Sequence, residues 1–329
     1  MIFFIIFLRA LAACLITNCH YVGIYPTDVL ANGGLLGDVI FFAVSGYCLL
    51  NVKKSFPSWY GKRLWRIYPS VIIILVVYLL LGQYSYAEKG LFQYFVYPTY
   101  YHFVGSIIFL YIPFYFVGRY EVLKKNIPLI ATIVAGAYFI VYFCFYDKSY
   151  YHVDVVGEWM IRFLFFESML LGGYFRYNDE KIRNKFNWGI VVGVTACTFA
   201  YYVFKLLLRK VSALIYFQWV SQLLILSALF FIFWLFMSLD KTLEKLPKFI
   251  KWCITFVSEI TLEIYVVQFP IIFVLRQYMG FPLNWLVITA SIVLAATILH
   301  YVSKLFTNGV EFVVVKIKDY FSKRKKEKI

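Results

Sequence analysis

The run 213–238, ALIYFQWVSQLLILSALFFIFWLFMS, holds 26 residues without one charged side chain and is flanked by Lys210 and Lys241. A helix that crosses a hydrocarbon layer needs ~20 mostly apolar residues. A barrel strand would be about half as long and would alternate in hydrophobicity. Working outward from this run, nine further stretches bounded by charge or turn residues read as spans, at about 2–21, 34–52, 67–82, 101–118, 127–146, 159–175, 188–206, 252–275 and 283–304. The expectation is an all-α fold, a polytopic transmembrane helical bundle of about ten spans, occupying residues 1–329 as one membrane domain with a basic tail at 316–329.

Composition agrees. Hydrophobic residues make up 63% of the 329, aromatics 22% and charged residues only 15%, and the mean hydropathy is +0.77. A soluble domain averages about a quarter charged residues, and it must still cover its surface with polar side chains. Soluble enzymes, disordered chains and secreted disulfide scaffolds are thereby excluded. The net charge of +15 does not mark a nucleic-acid-binding domain, because the basic residues cluster between apolar runs. With the N-terminus inside, the inner segments hold 23 Lys and Arg and the outer segments six. This bias places both termini in the cytoplasm, and the tail reads as an anchor drawn to anionic membrane lipid. The loop around Lys205, Arg209 and Lys210 runs against the trend. Residues 2–16 lack a basic leader and a small-residue cleavage site, so they read as a retained span rather than a signal peptide. The six cysteines all lie in apolar runs without metal-ligand spacing, and read as buried small hydrophobes; no metal is expected.

Ionisable groups inside spans are costly and are functional candidates for that reason. Arg9 and His20 have ten residues between them. Eleven helical steps turn the chain by ~1100° and climb ~16 Å, so both side chains share one face at different depths. Arg63 and Arg66, at i and i+3 in an inner loop, offer two forked guanidinium groups suited to a polyphosphate. Ser45-Gly46 at the end of the second span permits close approach of a ligand or a partner helix. Glu259 and Glu263 are four apart on the ninth span and read as sharing a face, either holding one proton between them or pairing with Arg9 or Arg162. Glu167 reads equally as a tie between helices or a site. His102 and His152 fall near outer ends of spans, and His300 is the weakest histidine candidate.

Together these motifs resemble the acyltransferase-3 family of bacterial integral membrane acyltransferases. The resemblance rests on Arg9 and His20 at their spacing, Phe41-Phe42-x-x-Ser45-Gly46-Tyr47, and Arg63-x-x-Arg66-Ile67-Tyr68-Pro69. A further match is Thr261-Leu-Glu263-Ile-Tyr265-Val-Val-Gln268, where the family often has His at the position of Gln268. It implies an O-acyltransferase of the bacterial cytoplasmic membrane. The acyl group, commonly acetyl, would pass from acetyl-CoA or another acyl-CoA to a hydroxyl of a cell-envelope or exported glycan or of a lipid-linked sugar. His20 would be the essential histidine, Arg9 its companion, Arg63 and Arg66 the donor-binding pair, with Glu263 among the catalytic residues and Ser45 near the donor. The sequence departs from the family in the fourth span, where Ile108-Phe109 stand without an acid, and in Asp38, which lies three rather than two residues before Phe41.

The chemistry asked of such a site is modest. A thioester has a good leaving group, so a base for the sugar hydroxyl and stabilisation of an oxyanion suffice, and a neutral imidazole such as that of His20 suits the base. The alternative reading is a transporter or flippase of a glycan or small polar solute, with the same charges lining its path. The arginine pair, which a CoA site needs, and the absence of an evident repeat separate the two.

Overall fold

Apolar runs become helices because a backbone among apolar side chains must satisfy its own N–H and C=O groups. A computed structural model describes residues 2–84, 90–98, 101–151, 153 and 158–326, and every extended element among them is helical. His152 and Lys89 lie outside the described residues. The elements are α1 (Phe3–Cys19), α2 (Gly34–Leu49), α3 (Phe56–Leu80), α4 (His102–Arg119), α5 (Glu121–Lys125), α6 (Ile127–Cys144), α7 (Glu158–Tyr177), α8 (Asp179–Ile182), α9 (Trp188–Lys210), α10 (Gln218–Ser238), α11 (Asp240–Leu243), α12 (Lys248–Glu259), α13 (Thr261–Leu275) and α14 (Leu283–Lys326).

Each of the ten expected stretches contains a helix, but among the described residues six are long and apolar enough to cross a membrane alone, or seven if a bent pair is one span. The others fall short for identifiable reasons. α1 and α2 have 17 and 16 residues, hence ~24–26 Å at 1.5 Å per residue against a hydrocarbon layer of ~30 Å. α7 carries Glu158, Arg162, Glu167 and Arg176. The stretch 252–275 is not one span: α12 and α13 meet at 71°. α12 is amphipathic, with Phe249, Trp252 and Phe256 stacked along one side, as suits a helix lying in an interface.

Three other expectations need correction. Arg63 and Arg66 are not in a loop, since α3 starts at Phe56, with Pro57 in its first turn, where a missing N–H costs nothing. α14 runs unbroken from the last span into the basic tail. The cysteines are free but not buried, Cys14, Cys48 and Cys144 being exposed.

α1 and α2 are mostly buried. α2 packs so closely on α7 that a Cβ on Gly46 would overlap the backbone of Met169, and one on Gly172 the carbonyl of Ala43. Gly46 therefore serves a partner helix, the small-residue contact by which helices associate without a hydrophobic driving force. Within α13, Pro270 cannot bond to Val266, and the freed Val266 carbonyl accepts the buried Tyr101 hydroxyl at 3.1 Å.

Candidate active site

A cavity of about 1370 Å³ opens between α1, α2, α3, α4, α13 and α14. The motif residues converge on it from distant parts of the chain. α1 supplies Arg9, α2 Ser45 and Cys48, α3 Lys62, Arg63 and Arg66, α4 Tyr111, α13 Glu263, and α14 His300, Ser303 and Lys304. Glu259 and Glu311 complete a charged lining of five basic and three acidic residues.

The guanidinium groups are crowded. Arg66 repels both Arg9 and Arg63, and among the described residues no carboxylate lies within 4.0 Å of any of the three. Arg63 is half-buried with its guanidinium carbon 5.5 Å from the centre of the Trp59 ring, and its Nε is buried without a hydrogen-bond partner. Arg66, one turn on, is exposed. Three guanidinium groups without a carboxylate in ion-pair contact offer forked donors of the kind that suit phosphate oxygens.

Glu263 belongs to a polar cluster in the cavity wall. It accepts the Ser70 hydroxyl at 3.0 Å and faces His300 Nδ1 at 3.4 Å. Ser70 also reaches Ser303 at 3.1 Å, and Ser303 donates to the His300 carbonyl at 3.0 Å. Glu263 and Glu259 do not share a face: the break between α12 and α13 falls between them, leaving Glu259 exposed and Glu263 buried. Nor is Arg162 a partner of either. It is buried in α7 with its guanidinium carbon 4.6 Å from the Trp159 ring centre and 5.3 Å from that of Phe109.

His300, the weakest candidate in sequence, thus sits in the cavity beside Glu263. The signal that could have found it is a polar stripe inside an apolar run: His300, Ser303, Lys304 and Thr307 stand at i, i+3, i+4 and i+7, and all four line the cavity.

His20 does not line this cavity. It ends α1, with its backbone N–H on the Thr17 carbonyl at 3.1 Å and its ring 6.4 Å from that of Phe269. Between the cavity and the turn of α1 that precedes His20 stands an aromatic partition. Phe41 meets Phe103 edge-on at 4.9 Å, and Phe103 meets Tyr265 at 5.1 Å, with the Phe103 N–H on the Tyr265 hydroxyl at 3.3 Å. Of the remaining candidates, His102 starts α4 with its ring 6.1 Å from Phe165, and Glu167 has a buried Oε1 without a hydrogen-bond partner. Neither lines the cavity.

Tyr47, which closes the second motif, has a structural place instead. Its hydroxyl donates to Asp179 at 2.7 Å and accepts from Arg183 at 2.7 Å. Arg183 grips Asp179 with two hydrogen bonds of 3.0 and 2.6 Å and reaches Asp240 at 3.5 Å. Asp240 in turn accepts the Phe4 N–H at the start of α1 at 2.9 Å, a favourable place for a carboxylate.

The fold is thus that of a helical membrane protein with a charged cavity around Arg9 and with His20 outside it. The family model of an acyltransferase domain matches residues 2–303, and the chain belongs to that acyltransferase-3 family. No curated protein and no solved structure shows significant similarity to it.

Proposed function

We propose that the chain is a multi-pass O-acyltransferase of the bacterial cytoplasmic membrane, using cytoplasmic acyl-CoA, acetyl-CoA in the simplest case, to acylate a glycan or lipid-linked sugar hydroxyl at the opposite face. The observation that carries this reading is the convergence of Arg9, Arg63 and Arg66 on one large cavity without carboxylate partners. The CoA phosphates would lie on Arg63 and Arg66 near the mouth, with Arg9 holding a phosphate or an amide carbonyl deeper in, and Ser45 beside the donor. The stem would point along α1 toward His20. His20 would take the proton of the sugar hydroxyl as its oxygen adds to the thioester carbonyl. The carbon–sulfur bond then breaks, and the thiolate is protonated as it leaves. Glu263, through its contact with His300, supports the cavity wall next to the stem.

The test is transfer of labelled acetyl from acetyl-CoA by the purified protein in detergent, alongside a CoA titration of the wild type and the Arg63→Gln/Arg66→Gln variant. Transfer together with weakened CoA binding in the double variant is expected. Unchanged affinity in a folded double variant would reject the donor site and leave solute transport as the better account.

A further inference from the structure

One stripe of α1 carries Arg9, Ala13, Ile16, Thr17 and His20, at i, i+4, i+7, i+8 and i+11. Arg9 lines the large cavity. Ala13, Ile16 and Thr17 line a second chamber, of about 20 Å³, whose other walls include Phe41, Phe103, Leu262 and Tyr265. Phe41, Phe103 and Leu262 also face the large cavity, so the chamber lies directly behind the aromatic partition, on the way to His20.

The lining is apolar except for hydroxyls, and two of these are threonines. Thr261 donates to carbonyls of the preceding turn, Ser258 at 2.9 Å and Val257 at 3.1 Å. Thr17 Oγ1 is buried without a hydrogen-bond partner. A helical threonine ordinarily bonds back to the carbonyl four residues earlier, as Thr195, Thr289, Thr297 and Thr307 do here. Thr17 leaves that bond unmade, and it is among the residues that line the chamber.

We propose that this chamber is the acyl pocket of the donor site, sized for the methyl of a two-carbon acyl group whose carbonyl lies at the chamber's edge and accepts the Thr17 hydroxyl. This rests on the acyl-CoA reading above. A space of this size holds about one or two water-sized groups, enough for an acetyl methyl and little more. The further methylenes of a butyryl chain would meet Phe103 and Tyr265. Thr17 lies one turn before His20, ~4.5 Å along the axis, so a base would stand near the carbonyl under attack. As the sugar oxygen bonds to that carbon, charge grows on the carbonyl oxygen, where an aimed hydroxyl is worth most.

The experiment measures binding and thioester turnover of acetyl-CoA and butyryl-CoA by the purified full-length protein in detergent, with free CoA as a reference ligand. The wild type is expected to favour acetyl over butyryl in turnover by about tenfold or more. Phe103→Ala should shift that preference toward butyryl. Ala13→Leu, which fills the chamber from the opposite wall, should lose acetyl-CoA turnover and keep its affinity for free CoA. Thr17→Val should lower kcat about tenfold with little change in KM. Equal handling of the two thioesters by the wild type overturns the proposal even if no variant folds, and so does acetyl turnover that survives Ala13→Leu. Failure of the wild type to bind CoA or either thioester would overturn the donor reading itself.

Discussion

The two arginines of the α3 motif are one turn apart but sit in different surroundings, and this predicts unequal weights in donor binding. Arg63 is half-buried on the Trp59 ring with a desolvated Nε, whereas Arg66 is exposed. A hydrogen bond to a charged group is worth ~1.5–3 kcal/mol, so Arg63→Gln should weaken CoA binding by ~2 kcal/mol, about thirtyfold in Kd. Exposed ion pairs are worth ~0.2–1 kcal/mol, so Arg66→Gln should cost only a few-fold. The double variant should lose about a hundredfold if the two act independently. Arg63→Lys should not restore affinity, because an ammonium neither stacks on the Trp59 ring nor presents a fork. Titration calorimetry of CoA into each purified variant measures this directly. Repeating it at high salt should erode the Arg66 contribution more than that of Arg63. Equal losses at the two positions, or wild-type affinity in Arg63→Lys, would refute the reasoning.

Three further outcomes are expected. Glu263→Gln should reduce transfer at least tenfold more than Glu259→Gln, since only Glu263 is buried against Ser70 and His300; steady-state rates of the two variants at matched expression check this. His20→Ala should abolish transfer and leave CoA affinity within about twofold, as measured by the same titrations, because His20 stands outside the donor cavity and acts on the acceptor. Asp240→Ala should lower stability by ~1–3 kcal/mol, since it strands the Phe4 N–H and one side of Arg183; a thermal-shift assay in detergent should show a lowered Tm.

Much of the architecture was legible because membrane helices are written in uninterrupted apolar length, and α10 is the plainest case. Arg9, Ser45, Arg63, Arg66 and Glu263 were legible as candidates because charge and motif stand out against apolar surroundings, and the fold brings them to one cavity. Three features were not. The bend at Ile260 has no proline or glycine at the break to announce it; it follows from an amphipathic α12 meeting an apolar α13. His300 escaped because its meaning depends on Glu263, 37 positions earlier on another helix, and pairing of that kind is set by packing. The partition that separates His20 from the cavity also escaped, since Phe41, Phe103 and Tyr265 come from three helices and each reads alone as an ordinary span residue.

The carboxylate on the Phe4 N–H of α1 has a consequence for how the chain is made. Phe4 and Asp240 are 236 positions apart, so the helix bearing Arg9 and His20 leaves the ribosome long before its N-terminal acceptor exists. During most of synthesis α1 exists with that end unanchored and with Arg9 lacking the walls that later surround it. Glu263 and His300 arrive later still. The cavity is therefore finished by the last helices to emerge, and nascent chains halted before α11 should leave α1 open to labelling at a cysteine placed near Phe4.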